Sequence, residues 1–145
     1  MEIARSSSHR PRIALVEDDD SLALMLCYNI EAIGCSVDWI ARGDLALDSL
    51  QRSPPDIVIL DWMLPGLSGI EILRHLKHDP STQSLPVLML TGRTEVECRE
   101  RARALGADVF LTKPFTVREL MSGLHRLLAK SDEAFEEKLI ATGSR

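Results

Sequence analysis

The chain has 145 residues, 45% of them hydrophobic and 4% aromatic, with a net charge of −5. That length suits one domain, large enough to bury a core built mainly from Leu, Ile, Val, Met and Ala. The charge gives no electrostatic reason to bind nucleic acid or an anionic membrane, and no apolar run approaches the roughly 18 residues of a membrane span.

Residues 1–11 are polar and basic without the apolar core of a signal peptide, and are expected to be flexible. A domain over 12–130 follows, alternating short β-branched runs with longer helical ones. Ile13–Val16 is continuous and apolar, as a strand buried on both faces should be. Asp19 or Asp20 caps the next helix, where Leu22, Met25, Leu26, Asn29, Ile30 and Ile33 recur at helical spacing until Gly34. Ser36–Ala41 reads as a strand and Gly43–Gln51 as a short helix, broken by Pro54-Pro55. Ile57, Val58, Ile59 and Leu60 form the purest strand, running into Asp61. Leu64-Pro65-Gly66 turns the chain into a helix over Ile70–His78. Val87–Leu90 is a fourth strand ending in Thr91-Gly92, followed by a helix over Thr94–Leu105. Val109–Leu111 is a fifth, ending in Thr112-Lys113-Pro114, and Thr116 caps a last helix carrying Val117, Leu120, Met121, Leu124 and Leu128. The acidic tail over 131–145 either extends that helix or is disordered.

Five β–α units in a row predict a parallel sheet with helices on both faces. Such sheets hold their sites at the carboxyl ends of the strands. Glu17 and Asp18, Asp61, Thr91 and Lys113 fall at the ends of the first, third, fourth and fifth strands. Three carboxylates crowded together would repel, and at least one pKa would rise. A hard divalent cation resolves this, and oxygen-only ligands favour Mg²⁺. An Asp carboxylate beside Mg²⁺ can attack a phosphoryl group and hold it as an acyl phosphate. Lys113 supplies a positive charge, Thr91 a hydroxyl donor, and Gly92 leaves room for the phosphoryl group.

The segments VEDD at 16–19, ILDWMLPG at 59–66, LT at 90–91 and LTKPF at 111–115 resemble the signatures of bacterial response-regulator receiver domains, and LDWMLPGLSGIEILRHLK is particularly similar to the OmpR/PhoB subfamily. The resemblance covers about residues 12–130. It implies a flavodoxin-like (βα)5 fold with strand order 2-1-3-4-5, and a cytoplasmic phosphoacceptor switch, not an enzyme acting on external substrates. It also implies that Asp61 is the phosphoacceptor, and that Asp18, Asp61 and the Met63 backbone carbonyl bind Mg²⁺, with Glu17 acting through water. Lys113 pairs with the phosphoryl group, across a cis bond to Pro114 in the family, and Thr91 and Phe110 form the switch pair. The implied partners are a sensor histidine kinase or phosphotransfer protein, a downstream protein target, and a second copy through the face of the fourth helix, fifth strand and fifth helix. Val109 and Gly123 stand where the subfamily has an acidic and a basic residue, which depletes that charged dimer face although Arg99 and Glu119 remain. No DNA-binding domain follows residue 130, so direct nucleic-acid binding by this chain is not expected.

Three rivals stand beside this reading. A haloacid-dehalogenase type of phosphatase also uses Asp, Mg²⁺, Thr and Lys, but needs a second Asp where this chain has Met63. A pseudo-receiver scaffold would leave the acidic set without a purpose. The receiver of a longer DNA-binding regulator is the third. Plainer expectations cover the rest: Met63 as a core filler by its side chain, Trp62 exposed after the acceptor, His75 and His78 on a solvated helix face, and Cys27 as inert core. Cys27, Cys35 and Cys98 are scattered, which argues against a disulfide framework and suits a reducing compartment. The fourth helix is rich in charge and poor in apolar residues, and is expected, with the fifth strand, to form the output surface.

Overall fold

The structure is a computed structural model that describes residues 10–92 and 96–143, with side chains described up to Ser131. The elements follow one another as β1 (Arg12–Val16), α1 (Asp20–Ala32), β2 (Ser36–Ile40), α2 (Gly43–Arg52), β3 (Ile57–Asp61), α3 (Gly69–His78), β4 (Val87–Thr91), α4 (Val96–Ala104), β5 (Val109–Thr112) and α5 (Val117–Gly143). All strand pairs are parallel, in the order β2-β1-β3-β4-β5, which is the flavodoxin-like arrangement the sequence implies. Residues 1–9, and the expected helix start at Thr94, lie outside the described residues. Pro11 is buried, and its carbonyl accepts from the Ser36 N–H at 2.8 Å.

Alternation along the central strands sorts their side chains onto two faces. Ile13, Leu15, Ile57, Ile59, Leu88 and Leu90 pack against α1 and α5, through Leu26, Ile30, Leu120 and Leu124. Ala14, Val16, Val58, Leu60, Val87 and Met89 pack against α2 and α3, through Leu50, Ile72, Leu73 and Leu76. The apolar runs are therefore continuous because both faces are covered. Each fully buried Leu or Ile contributes roughly 1.5–3 kcal/mol.

Local chemistry sets the helix ends. The Asp19 carboxylate accepts from the Leu22 N–H at 3.1 Å and caps α1. Thr116 and Glu119 form a reciprocal capping box at α5: the Glu119 N–H donates to the Thr116 hydroxyl, and the Thr116 N–H to the Glu119 carboxylate. Gly69 opens α3 against the end of β3, where a Cβ would stand 2.0 Å from the Asp61 carbonyl oxygen. Only glycine allows this approach, and it brings the 62–68 loop back under α3.

Two side-chain expectations are corrected. Trp62 is buried, at 6% exposure, because the loop closes over it: its N–H donates to the Leu90 carbonyl and its own carbonyl accepts from Gly69, which leaves the indole among the α2 and α3 side chains. Met63, the next residue, is 59% exposed, since the same turn points it outward. Cys27 is half-buried against the α1 cluster, and burial pushes its thiol up, away from reactivity. His75 and His78 are exposed on α3.

Candidate functional site

The strand order reverses direction beside β1 and β3, and the carboxylates converge there, at the carboxyl ends of those strands. Glu17 follows β1 directly and is fully buried, Asp61 ends β3 at 3% exposure, and Asp18 is exposed at the mouth. Ligand oxygens of Glu17, Asp18 and Asp61 lie within 4.8 Å of one another. Lys113 reaches them from β5, two strands from Asp61. That gap is about 10 Å at ordinary strand spacing, and only a long side chain bridges it. Its ammonium stands 3.1 Å from Asp61 Oδ2 and 3.3 Å from Glu17 Oε1. The stem is anchored by its own backbone, whose N–H donates to the Thr91 carbonyl at 2.7 Å, and the Lys113–Pro114 bond is cis.

Electrostatics follow from burial. Desolvation is the main cause that lifts Glu17 from 4.5 to about 7, with Asp61 adding to it and the Asp19 N–H and Lys113 opposing. Lys113 is held above its ordinary range by Asp61 and Glu17, although its burial works the other way. The cluster is thus short of positive charge, and the donor set is all oxygen. These are the conditions that a hard divalent cation meets.

Thr91 is fully buried at the end of β4, beside the acidic set in the sheet order. A Cβ built on Gly92 would meet no described atom within 4 Å, so the space beside Gly92 itself is open among the described residues. Phe110 is half-buried on β5, with the Arg99 guanidinium 5.5 Å from its ring centre. One residue escapes a reading of sequence alone. The Trp39 indole N–H donates to the Glu17 carbonyl at 2.7 Å, so a residue of the edge strand β2 fixes the backbone that carries both Glu17 and Asp18. The available signal was a tryptophan on an otherwise polar strand end, too weak to assign a partner 22 positions away.

This fold and this acidic strand-end cluster define a receiver-type α/β domain. Residues 13–125 match the sequence profile of the response regulator receiver domain, and the chain belongs to that family. Among curated proteins it is similar to the phosphate regulon transcriptional regulatory protein PhoB of Rhizobium meliloti, with 47% identity over 133 residues, covering 92% of this chain and 59% of PhoB. The Escherichia coli PhoB is 38% identical over 129 residues, covering 89% of this chain and 56% of its own length. The chain therefore spans little more than half of these relatives. Among solved structures, the chemotaxis protein CheY4 of Vibrio cholerae superposes with a TM-score of 0.76 at 28% identity, covering 82% of this chain and 99% of CheY4. The receiver domain of a sensor histidine kinase from Pseudomonas aeruginosa, solved with a magnesium ion coordinated in its active site cleft, gives 0.76 at 27% identity over 83% of this chain and 99% of that one.

Proposed function

We propose that the chain is a phosphorylation switch in which Asp61 accepts a phosphoryl group from a sensor histidine kinase or phosphotransfer protein. The observation that carries this is the convergence of Glu17, Asp18 and Asp61 within 4.8 Å, with the Lys113 ammonium 3.1 Å from Asp61. In the transfer, an Asp61 carboxylate oxygen forms a bond to phosphorus while the donor's N–P bond breaks, and the electron pair returns to the donor nitrogen. Asp18, Asp61 and the Met63 carbonyl would hold Mg²⁺ directly, and Glu17 through water. Mg²⁺ bound there would supply charge neutralisation for the transfer. Lys113 offers the charge that the new phosphoryl group requires, and the Thr91 hydroxyl donates to one of its oxygens. Phe110 then repacks on β5. Water later cleaves the acyl phosphate, so the chain resets without turning over an external substrate. Met63, apolar and exposed, supplies no second acid, which weighs against a phosphatase of the haloacid-dehalogenase type.

The similarity to PhoB, of which the chain spans 59%, supports a second reading: the receiver portion of a longer transcription regulator, with DNA contacts made outside these residues. Intact mass after incubation with Mg²⁺ and acetyl phosphate tests the acceptor. The expected result is a Mg²⁺-dependent gain of about 80 Da, one phosphoryl group, absent in Asp61→Asn. No gain, with the donor active on another receiver, would move the reading to a pseudo-receiver scaffold.

A further inference from the structure

The loop over 62–68 joins β3 to α3 and carries Met63, whose carbonyl is a ligand in the proposed Mg²⁺ site. The start of the loop is tied to its surroundings: the Trp62 N–H donates to Leu90, its carbonyl accepts from Gly69, and the Met63 N–H reaches Asp61 Oδ1 at 3.4 Å. Met63 does little to hold itself, since its side chain is 59% exposed and belongs to neither face of the core. Where its carbonyl stands therefore depends on how the rest of the loop is held.

The far part of the loop is held from outside, by the first turn of α2. The Gly43 N–H donates to the Pro65 carbonyl at 3.0 Å. Gly43 also lies directly on the loop backbone, where a Cβ would stand 1.8 Å from the Leu67 carbonyl oxygen. On either side of Gly43, Arg42 and Asp44 form a two-pronged pair, with Nε donating to Oδ1 at 3.1 Å and Nη2 to Oδ2 at 3.3 Å. That pair lies across Gly66, whose Cβ, if it had one, would stand 2.4 Å from Asp44 Oδ1 and 3.1 Å from Arg42 Nη2. Gly66 has a φ of +88°, so glycine serves both the turn and the close contact. Both partners of the pair are half exposed, and such a pair adds little to folding stability. Asp44 is also outside the set of carboxylates that converge at the site. What distinguishes the pair is its place, across the loop that carries a metal ligand.

We propose that Arg42, Gly43 and Asp44 are positioning residues for Mg²⁺: the first turn of α2 clamps Pro65–Leu67 and so holds the Met63 carbonyl where the carboxylates can share a cation with it. Contacts behind a metal's ligands set affinity by fixing where those ligands stand. The proposal rests on the reading of Asp18, Asp61 and Met63 as the Mg²⁺ ligands. A role through charge alone has a different signature, because Asp44 would attract the cation and Arg42 would repel it. Clamping gives both residues the same sign.

The test titrates Mg²⁺ into the full chain, followed by intrinsic tryptophan fluorescence, with the urea midpoint in EDTA as the measure of folding. Arg42→Ala and Asp44→Ala should each weaken Mg²⁺ binding by about threefold or more, with the urea midpoint unchanged. Asp44→Asn keeps the shape and an oxygen for Arg42, and should stay closer to the unaltered chain than Asp44→Ala. Asp48→Ala removes the same charge one turn further along α2 and should bind Mg²⁺ normally. Gly43→Ala should lose about tenfold or more, since the Leu67 carbonyl has to move. Should that variant fail to fold, the Arg42 and Asp44 variants decide the matter, because neither adds an atom. The proposal is overturned by unchanged affinity in both alanine variants, by tighter binding in Arg42→Ala, or by equal losses in Asp44→Asn and Asp44→Ala. A fall in the urea midpoint that accompanies every loss of affinity would also overturn it, by making the contact a matter of folding. No saturable Mg²⁺ response in the unaltered chain would overturn it together with the Mg²⁺ reading, whereas a normal response there with unaffected variants overturns the clamp alone.

Discussion

β3 is buried at all five of its positions, while β5, two strands away, buries only Val109 of its four. The flanking helices follow suit. α3 buries Gly69, Ile70, Ile72, Leu73 and Leu76, whereas α4 buries Ala102 alone among its arginines and glutamates. One side of the molecule thus holds the carboxylates rigidly, and the other is joined to them through Lys113 and the β4–β5 ladder. A switch needs both properties: a fixed place for the charge to arrive, and a neighbour whose two arrangements differ by little free energy.

The comparison breaks most visibly in stability. Ile59→Ala on β3 should cost about 2–5 kcal/mol in a urea melt, and Val96→Ala at the start of α4 no more than about 0.5 kcal/mol. Equal costs would mean that the two sides are equally well packed.

Glu17 gives the next largest effect. Its folded pKa of about 7 lies above the ordinary 4.5, so the folded chain keeps a proton there that the unfolded chain releases. Its burial therefore costs nothing below pH 4.5, and the cost grows as pH rises and is complete above 7. In EDTA, stability should fall across that window by on the order of 3 kcal/mol. Glu17→Gln should flatten the slope, and Mg²⁺ added above pH 7 should restore stability. A flat profile in the unaltered chain would show that Glu17 is not desolvated as its burial requires.

Trp39→Phe sharpens the fixed side further. It removes the donor to the Glu17 carbonyl but keeps an aromatic ring. A loss of about 1 kcal/mol is expected. Mg²⁺ affinity, followed through Trp62 fluorescence, should weaken by roughly three- to tenfold. Unchanged affinity would make Trp39 cover only.

The smallest effect belongs to the other side. Gly123→Ala should cost about 1 kcal/mol, as overpacking against Val109 outweighs the gain in helix propensity. Val109→Ala should relieve part of it, which a double-mutant cycle in urea would read.

The sheet was legible because Ile13–Val16, Ile57–Leu60 and Val87–Leu90 are apolar at every position, a pattern that buried parallel strands impose. The acidic cluster was legible because strand ends in such a sheet share one edge, so Glu17, Asp18 and Asp61 had to meet. What stayed hidden depends on packing between distant segments. Trp62 is buried only because Gly69 lets α3 close on the end of β3. Trp39 finds Glu17 through the register of an edge strand that pairs Leu15 with Trp39.

Hydrogen exchange on the chain carrying the full mass gain at Asp61 tests the central claim most directly. Protection should change over 96–104 and 109–112, while 12–16 and 57–61 stay as they were. A fully phosphorylated chain with unaltered exchange in α4 and β5 would contradict the account, because the charge would then arrive at a site with no movable neighbour.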